Sequence, residues 1–176
     1  MNPPTESPQK KDEVIVTFLN LLLANEYVLY TKTRTAHWNI DDDNQFELNV
    51  FLENQYNSID IMIDDIAELI RSLGYFALGS LKDFLSITQT NYNFNKSNQI
   101  FETLRTDHDS IIDMIHREII SISNQLNDSK TATLLNGLLE QHRYMVRQLR
   151  FFSVNSEYSL NQQILTNSSL QMDWQD

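Results

Sequence analysis

The segment 48–73, LNVFLENQYNSIDIMIDDIAELIRSL, decides the fold class of this chain. Apolar residues recur in it at alternating steps of three and four: Leu48, Leu52, Tyr56, Ile59, Ile63, Ile66, Ile70 and Leu73. This spacing predicts one long helix with a continuous apolar face, of the kind that packs in left-handed helical bundles. The polar run 41–44 (DDDN) precedes it as a predicted turn and N-cap, and Gly74 follows it as a predicted stop.

Three further long helices are predicted around this one. The first runs from Val14 to about Ile40, and its buried face carries Ile15, Phe18, Leu19 and Leu22. The third carries Phe101, Leu104, Ile111, Ile115, Ile119, Ile122 and Leu126 on one face, and a break is expected at 127–129. The fourth runs from about Thr131 to Phe152, with Leu134, Leu138, Met145, Leu149 and Phe152. All three prolines lie within the first eight residues, so no proline interrupts these helices.

The segment between Gly74 and Asn98 is a long connection with a short amphipathic piece at 81–87. The sequence therefore predicts an all-α protein, a ferritin-like four-helix bundle with one long crossover that carries a short extra helix. We expect a polar N-terminal arm at 1–13, the bundle at 14–152 and a polar C-terminal tail at 153–176.

Composition narrows the class of function. The 176 residues contain 41% hydrophobic residues, no cysteine and a formal charge of −11, which excludes disulfide scaffolds and thiolate metal sites. No continuous apolar run reaches bilayer length and no signal peptide is recognisable, so we expect a cytoplasmic protein with no membrane partner. Because Lys10 and Lys11 are followed directly by Asp12 and Glu13, DNA binding is expected to be weak or absent.

A polar stripe runs beside the apolar face of the second helix and consists of Asn49, Glu53, Asp60, Asp64 and Glu68. Such a stripe is commonly a solvated face, and that interpretation stays open here. However, no lysine occurs between Lys32 and Lys82, so the carboxylates lack the neutralising partners that a surface stripe often contains. A bound cation would neutralise them, and carboxylates with an imidazole suit hard or borderline metals.

The sequence resembles the Dps family of DNA-protection proteins, also called mini-ferritins. The resemblance rests on His37-Trp38-Asn39, on 63–68 (IDDIAE) and on 72–74 (SLG). It extends to 81–85 (LKDFL), similar to the family's crossover helix, and to His142 and Leu149-Arg150, similar to its last helix. It covers about residues 14–152.

This resemblance implies a hollow homo-oligomer, a dodecamer, that oxidises ferrous iron with peroxide or oxygen and stores the ferric product. It implies a ferroxidase, and thus an enzyme that protects against oxidative stress, with iron as the metal. The metal centre is expected between two subunits, with His37 from one and Glu53, Asp64 and Glu68 from its partner. Of these, His37, Asp64 and Glu68 are expected to be the catalytic set.

Four positions depart from the family pattern. Asn49 stands where the family has its second histidine, and Glu53 where it has an aspartate. Thr133 replaces an aspartate frequent near the iron-entry pore, and Arg147 replaces a common tryptophan. An alternative is therefore a Dps-shaped cage with impaired or lost ferroxidase activity, acting as a structural or DNA- or metal-binding assembly.

The other histidines are expected to be structural or superficial. The Glu-x-x-His motif of di-iron bundles is absent, and Asp113 with His116 is its nearest approach. His108 and His142 have no acidic stripe of their own, so a structural role is expected for both.

Overall fold

The computed structural model describes the backbone of residues 8–39, 45–91, 100–125 and 128–172. It describes the side-chain environment within 12–39, 46–91, 100–120 and 128–152. Residues 1–7 of the predicted arm (1–13) and the cap cluster at 41–44 lie outside the described backbone. The side chains of the predicted core positions Ile122 and Leu126 lie outside the described side-chain ranges.

Five α-helices make up the secondary structure of the described residues. They are α1 (Pro8–Asn39), α2 (Gln45–Ser72), α3 (Leu81–Ile87), α4 (Ile100–Gln125) and α5 (Ser129–Met172). α1 packs mainly against α2 and α4 mainly against α5, while α3 lies against α1. This confirms the predicted ferritin-like four-helix bundle with a short helix in its crossover.

The apolar stripe of α2 lies in the core of the bundle. Leu52, Ile59, Ile66 and Ile70 are fully buried, whereas Tyr56, Ile63 and Leu73 are only half-buried. The core face is completed by residues one position to the side of the predicted stripe: Phe51, Gln55, Met62 and Leu69. At the C-terminus of α2, Gly74 adopts a φ of 88°, the left-handed conformation that favours glycine. The amides of Gly74 and Tyr75 donate to Arg71 and Ile70, which closes the helix as predicted.

α1 begins earlier than the apolar periodicity indicated. Its first residue is Pro8, and proline is well tolerated there because the first amides of a helix have no partner within it. By length and composition alone the stretch Asp12–Asn39 would be apolar enough to cross a membrane, although it contains no long continuous apolar run. More than half of its apolar 18-residue window is buried inside the bundle, as expected of a core helix.

Helix α3 is held by its own cap and by one buried ring. Ser80 is the N-cap, and its hydroxyl accepts a hydrogen bond from the amide of Asp83 at 3.1 Å. Phe84 is the buried residue of this helix, and its ring lies 4.8 Å from that of Tyr27 on α1. The crossover is thus packed against α1 rather than looped into solvent.

α5 is longer than predicted. It continues from Ser129 to Met172, through most of the segment for which the sequence indicated only a polar tail. Residues 153–172 contain neither proline nor glycine, so nothing in them breaks the helix that starts in the bundle.

Candidate metal centre

His37 lies near the C-terminal end of α1, beside the start of α2. Its ring meets that of Tyr56 edge to face, with the centroids 5.5 Å apart. Its Nδ1 atom is buried and has no hydrogen-bond partner among the described residues. Within that part of the chain, the side chain is held by packing and one ring nitrogen stays available.

Glu53 belongs to the same neighbourhood through Tyr56. The Tyr56 hydroxyl lies 3.5 Å from Glu53 Oε1, at the outer limit of a hydrogen bond. Burial and the neighbouring Glu53 carboxylate raise the pKa of Tyr56 above its ordinary value. The phenol consequently stays protonated at neutral pH and can donate to Glu53.

Arg34 places a fixed positive charge one turn before His37. Its guanidinium carbon lies 5.1 Å from the ring centres of Trp38 and Tyr56 and 5.5 Å from that of Tyr30. Its Nη1 donates to the Tyr30 hydroxyl at 2.7 Å, while its Nε is buried without a partner. The rings hold the cation by cation–π attraction, but Trp38 is 66% exposed, so this edge of the subunit is open.

The other predicted ligands lie further along α2. Glu53, Asp60, Asp64 and Glu68 are all exposed in the subunit, and Asn49 is half-buried. Asp64 and Glu68 are one helical turn apart, so both carboxylates can face one ion. In the described part of the chain, no ion pair to Glu53, Asp64 or Glu68 is formed within the subunit.

Helix geometry revises the predicted grouping of these ligands. Glu53 and Asp64 are eleven residues apart on one continuous helix, which corresponds to about 16 Å along its axis. Two side chains so far apart cannot bind the same ion, so Glu53 does not join Asp64 and Glu68 on one subunit. Its contact through Tyr56 places it on the His37 side instead.

Within one subunit the ligands therefore form two separate groups. Among the described residues, no three histidine, aspartate or glutamate side chains converge on a position that could hold a metal ion.

Asp113 and His116, on α4, are both exposed. Thr133 is exposed, and its hydroxyl donates to the backbone carbonyl of Ser129 on the same helix. The guanidinium of Arg147 lies over the ring of Tyr144.

The sequence interpretation missed a buried polar chain in the bundle core. His142 Nε2 lies 2.7 Å from Glu26 Oε1, and His142 Nδ1 lies 2.8 Å from His108 Nδ1. Both histidines are buried and hydrogen-bonded, whereas Glu26 was not singled out from the sequence. The available signal was its register: Glu26 occupies the apolar face of α1 between Leu22 and Leu29, where a carboxylate needs a partner.

Comparison with known families places these features in context. A family model described as the ferritin-like domain matches residues 16–154. A low temperature-induced protein of Nostoc sp. is 28% identical over 141 residues, which cover 78% of this chain and 79% of that protein. The DNA protection during starvation protein 2 of Bacillus anthracis is 27% identical over 139 residues, which cover 76% and 94%.

Solved structures give the same fold. Dps from Thermosynechococcus elongatus superposes with a TM-score of 0.78 at 23% identity, covering 84% of this chain and 94% of that one. The Dps protein from Vibrio cholerae, described as a member of a superfamily of ferritin-like diiron-carboxylate proteins, gives 0.77 at 22% identity, covering 86% and 99%.

Proposed function

This chain belongs to the Dps family of ferritin-like proteins, and from that premise we propose that it oxidises ferrous iron and stores the ferric product inside a closed homo-oligomer. Iron is the substrate and cargo of this reaction. The proposed oxidant is peroxide or oxygen, and the proposed compartment is the cytoplasm. The protective role against oxidative stress follows from removal of the ferrous iron that reacts with peroxide.

One observation carries the proposal: α2, together with the end of α1, presents two candidate half-sites on one side of the subunit. Eleven residues at about 100° each return to within about 20° of the starting direction, so Glu53 and Asp64 point the same way. The first half-site is His37 with Glu53, and the second is Asp64 with Glu68. Each is incomplete alone.

A two-fold axis would complete both half-sites. In an isologous interface, residue i of one subunit meets residue j of the other, and j meets i in return. Packing two α2 helices antiparallel about such an axis brings the first half-site of one subunit against the second of its partner. Two equivalent centres then form per dimer, each with one imidazole and three carboxylates.

The exposed apolar side chains support assembly. Large apolar residues are exposed around α2 and the crossover: Phe46 at 81%, Phe76 at 77%, Leu81 at 63% and Ile61 at 62%. Surfaces of this kind mark sites of association. Ile61 lies between the two half-sites along α2, so burial there would place the proposed centres inside an interface.

The ligand types suit the proposed reaction. Carboxylates are hard anionic ligands, so they favour the ferric over the ferrous ion and lower the energy needed to remove an electron. His37 adds a neutral donor, and the guanidinium of Arg34 lies near its side of the centre. Asn49 offers only a weak neutral donor, so the second metal position of each centre should bind more weakly than the first.

The decisive experiment is ferrous oxidation by the assembled protein, followed by ferric absorbance after addition of peroxide or oxygen. Asp64→Asn should abolish oxidation while the assembly keeps its size, because it removes one of the two carboxylates of the second half-site. Asp65→Asn is the matched control, since Asp65 is also exposed but lies about 100° away on α2. If Asp64→Asn oxidises iron at the parent rate, the centre does not lie at this position.

The second candidate is a cage of the same shape that has lost efficient oxidation, and Asn49 is the residue that favours it. A single measurement, the binding of ferrous iron under anaerobic conditions, distinguishes the two functions. A cage without a working centre would take up no ferrous iron in a defined ratio under anaerobic conditions, whereas the proposed enzyme should bind about one tightly held ion per centre.

A further inference from the structure

Three titratable side chains form a line through the bundle core. Glu26 comes from α1, His142 from α5 and His108 from α4, and their exposed fractions are 0%, 0% and 1%. His142 stands in the middle, with Nε2 2.7 Å from Glu26 Oε1 and Nδ1 2.8 Å from His108 Nδ1. The second oxygen of the Glu26 carboxyl group is buried and has no hydrogen-bond partner among the described residues.

The line is suited to holding protons rather than a metal ion. His142 uses its two ring nitrogens in opposite directions, so the donors do not surround one point. This agrees with the absence of a metal-sized cluster in the described residues. Two hydrogen bonds in series, each needing one proton, therefore join α1, α5 and α4.

Counting protons shows which state the core favours. With three protons the line is neutral and complete: one lies between Glu26 and His142 Nε2, one on His142 Nδ1 facing His108, and one on His108 Nε2. Removing one proton leaves a net negative charge in a site without water contact, which is costly. The three-proton state is therefore the stable one at neutral pH.

A fourth proton has no good position. On His108 Nδ1 it would place two N–H donors against each other across 2.8 Å. On the free oxygen of Glu26 it would be a buried O–H without an acceptor. Either choice also leaves a net positive charge in the core.

Among the described residues, the other buried charged groups are Lys32 on α1 and Asp107 on α4, and these two pair with each other. α2 contributes only apolar side chains and Gln55 to the described core, and Gln55 bonds Gln148 of α5. Phe84 is the buried residue of α3.

We propose that Glu26, His142 and His108 form an acid-sensitive lock, which joins α1, α5 and α4 while it holds three protons and opens the bundle when a fourth is taken up. These three side chains thereby set the lowest pH at which the folded bundle is stable. The lock does not depend on the proposed iron chemistry, because none of its residues belongs to the candidate centre.

The direction of the pH effect follows from His108. Burial, with a smaller contribution from His142, lowers the pKa of His108 well below its ordinary value of 6.5. Below about pH 6.5 the unfolded chain therefore binds a proton that the folded chain refuses, and the unfolding constant rises up to tenfold per pH unit for this one group. This contribution to stability is therefore lost as the pH falls below that value.

The test is urea unfolding of the full chain between pH 5 and 8 at one protein concentration. Relative to the parent, His108→Leu should flatten the dependence below pH 6.5 by up to tenfold in the unfolding constant per pH unit. His116→Gln is the control, because His116 is an exposed histidine on the same helix. An unchanged slope in His108→Leu, or an equal flattening in His116→Gln, would overturn the lock.

Two further measurements guard against a variant that does not fold. A triple variant, Glu26→Met with His108→Leu and His142→Leu, replaces the whole line by apolar side chains and should fold without this lower pH limit. In the parent protein, amide exchange next to His108 and His142 should lose several-fold protection between pH 6.5 and 5, corrected for intrinsic rates. Unchanged protection would contradict the proposal.

Discussion

At the scale of single residues, the core of this protein contains a buried ion pair in addition to Glu26, His142 and His108. Lys32 and Asp107 are both buried and pair with each other, and Lys32 also donates to the backbone carbonyl of Asn91 at 3.0 Å. Burial raises the pKa of Asp107 above its ordinary value, although Lys32 opposes the shift. Each of the two charges can therefore be buried because the other neutralises it.

Replacing Lys32 by Met should destabilise the fold by about 3–5 kcal/mol at pH 7.5, because Asp107 would remain as a buried charge without a partner. The penalty should shrink at pH 5.5, since the Asp107 carboxyl group can then take up a proton and become neutral. Urea unfolding at the two pH values measures this. Lys82→Met is the control, because Lys82 is an exposed residue of α3. It should change stability by less than about 0.5 kcal/mol. Equal penalties at both pH values would contradict the argument.

Asn49→His should speed ferrous oxidation and raise the number of ferrous ions bound per centre from about one to about two, because imidazole is a stronger donor than a carboxamide. Anaerobic titration followed by peroxide addition measures both quantities. Asn54→His, five residues further along α2 and also at the surface, tests whether any added histidine has this effect. A rate increase in both variants would show that position 49 is not special.

At the scale of elements, a buried asparagine links the end of the crossover to the bundle. Asn25 of α1 is buried, and its Oδ1 accepts from the hydroxyl of Thr88 and from the amides of Gln89 and Thr90, at 2.7, 2.8 and 3.2 Å. Its Nδ2 faces Met114 Sδ on α4 at 3.4 Å. One side chain thus orders the end of the crossover against two helices.

Asn25→Ala should cost about 1–3 kcal/mol for each buried donor that it leaves unpaired. The loss should be local first, so the amides of Gln89 and Thr90 should exchange faster while those in the middle of α2 stay protected. Hydrogen exchange and urea unfolding together measure this. Asn136→Ala, at an exposed position on α5, should leave both unchanged. Unaltered exchange at 89 and 90 would mean that the anchor is not needed.

At the scale of the whole molecule, the proposed half-sites are incomplete in one subunit and large apolar side chains are exposed. We therefore expect the subunit to assemble with further copies of itself. We expect a native mass of about 250 kDa, twelve subunits of 20.6 kDa in a closed shell. Ile61→Glu should lower that mass, because it places a charge on the α2 face between the half-sites. A parent protein that remains monomeric at micromolar concentration would exclude both the shell and the shared centres.

The charge of the molecule predicts weak DNA binding. Each subunit carries −11, and this charge is repeated in every copy of a shell, so a phosphate backbone is repelled. A gel-shift assay at moderate salt should show little binding, and Lys10→Gln with Lys11→Gln should change it little. Strong binding that this double variant abolishes would restore a DNA-protection role.

The sequence by itself determined the helices and their order. The apolar steps of α2, the stop at Gly74 and the short helix at 81–87 are local properties, because periodicity and backbone preference depend on neighbours in the chain. For the same reason the polar stripe and His37 could be selected as candidate ligands. The end of α5 was missed because its residues 153–172 carry no clear apolar period, although no residue breaks the helix that precedes them.

Only the tertiary structure decided which of these residues meet. Glu26 and His142 are 116 positions apart, and nothing local to either of them specifies the other. The proposed division of the candidate ligands into two half-sites likewise rests on Tyr56, which contacts both His37 and Glu53, and on the continuity of α2 from Glu53 to Glu68. Contacts between distant segments depend on how helices pack, and packing is a property of the whole core rather than of any one segment.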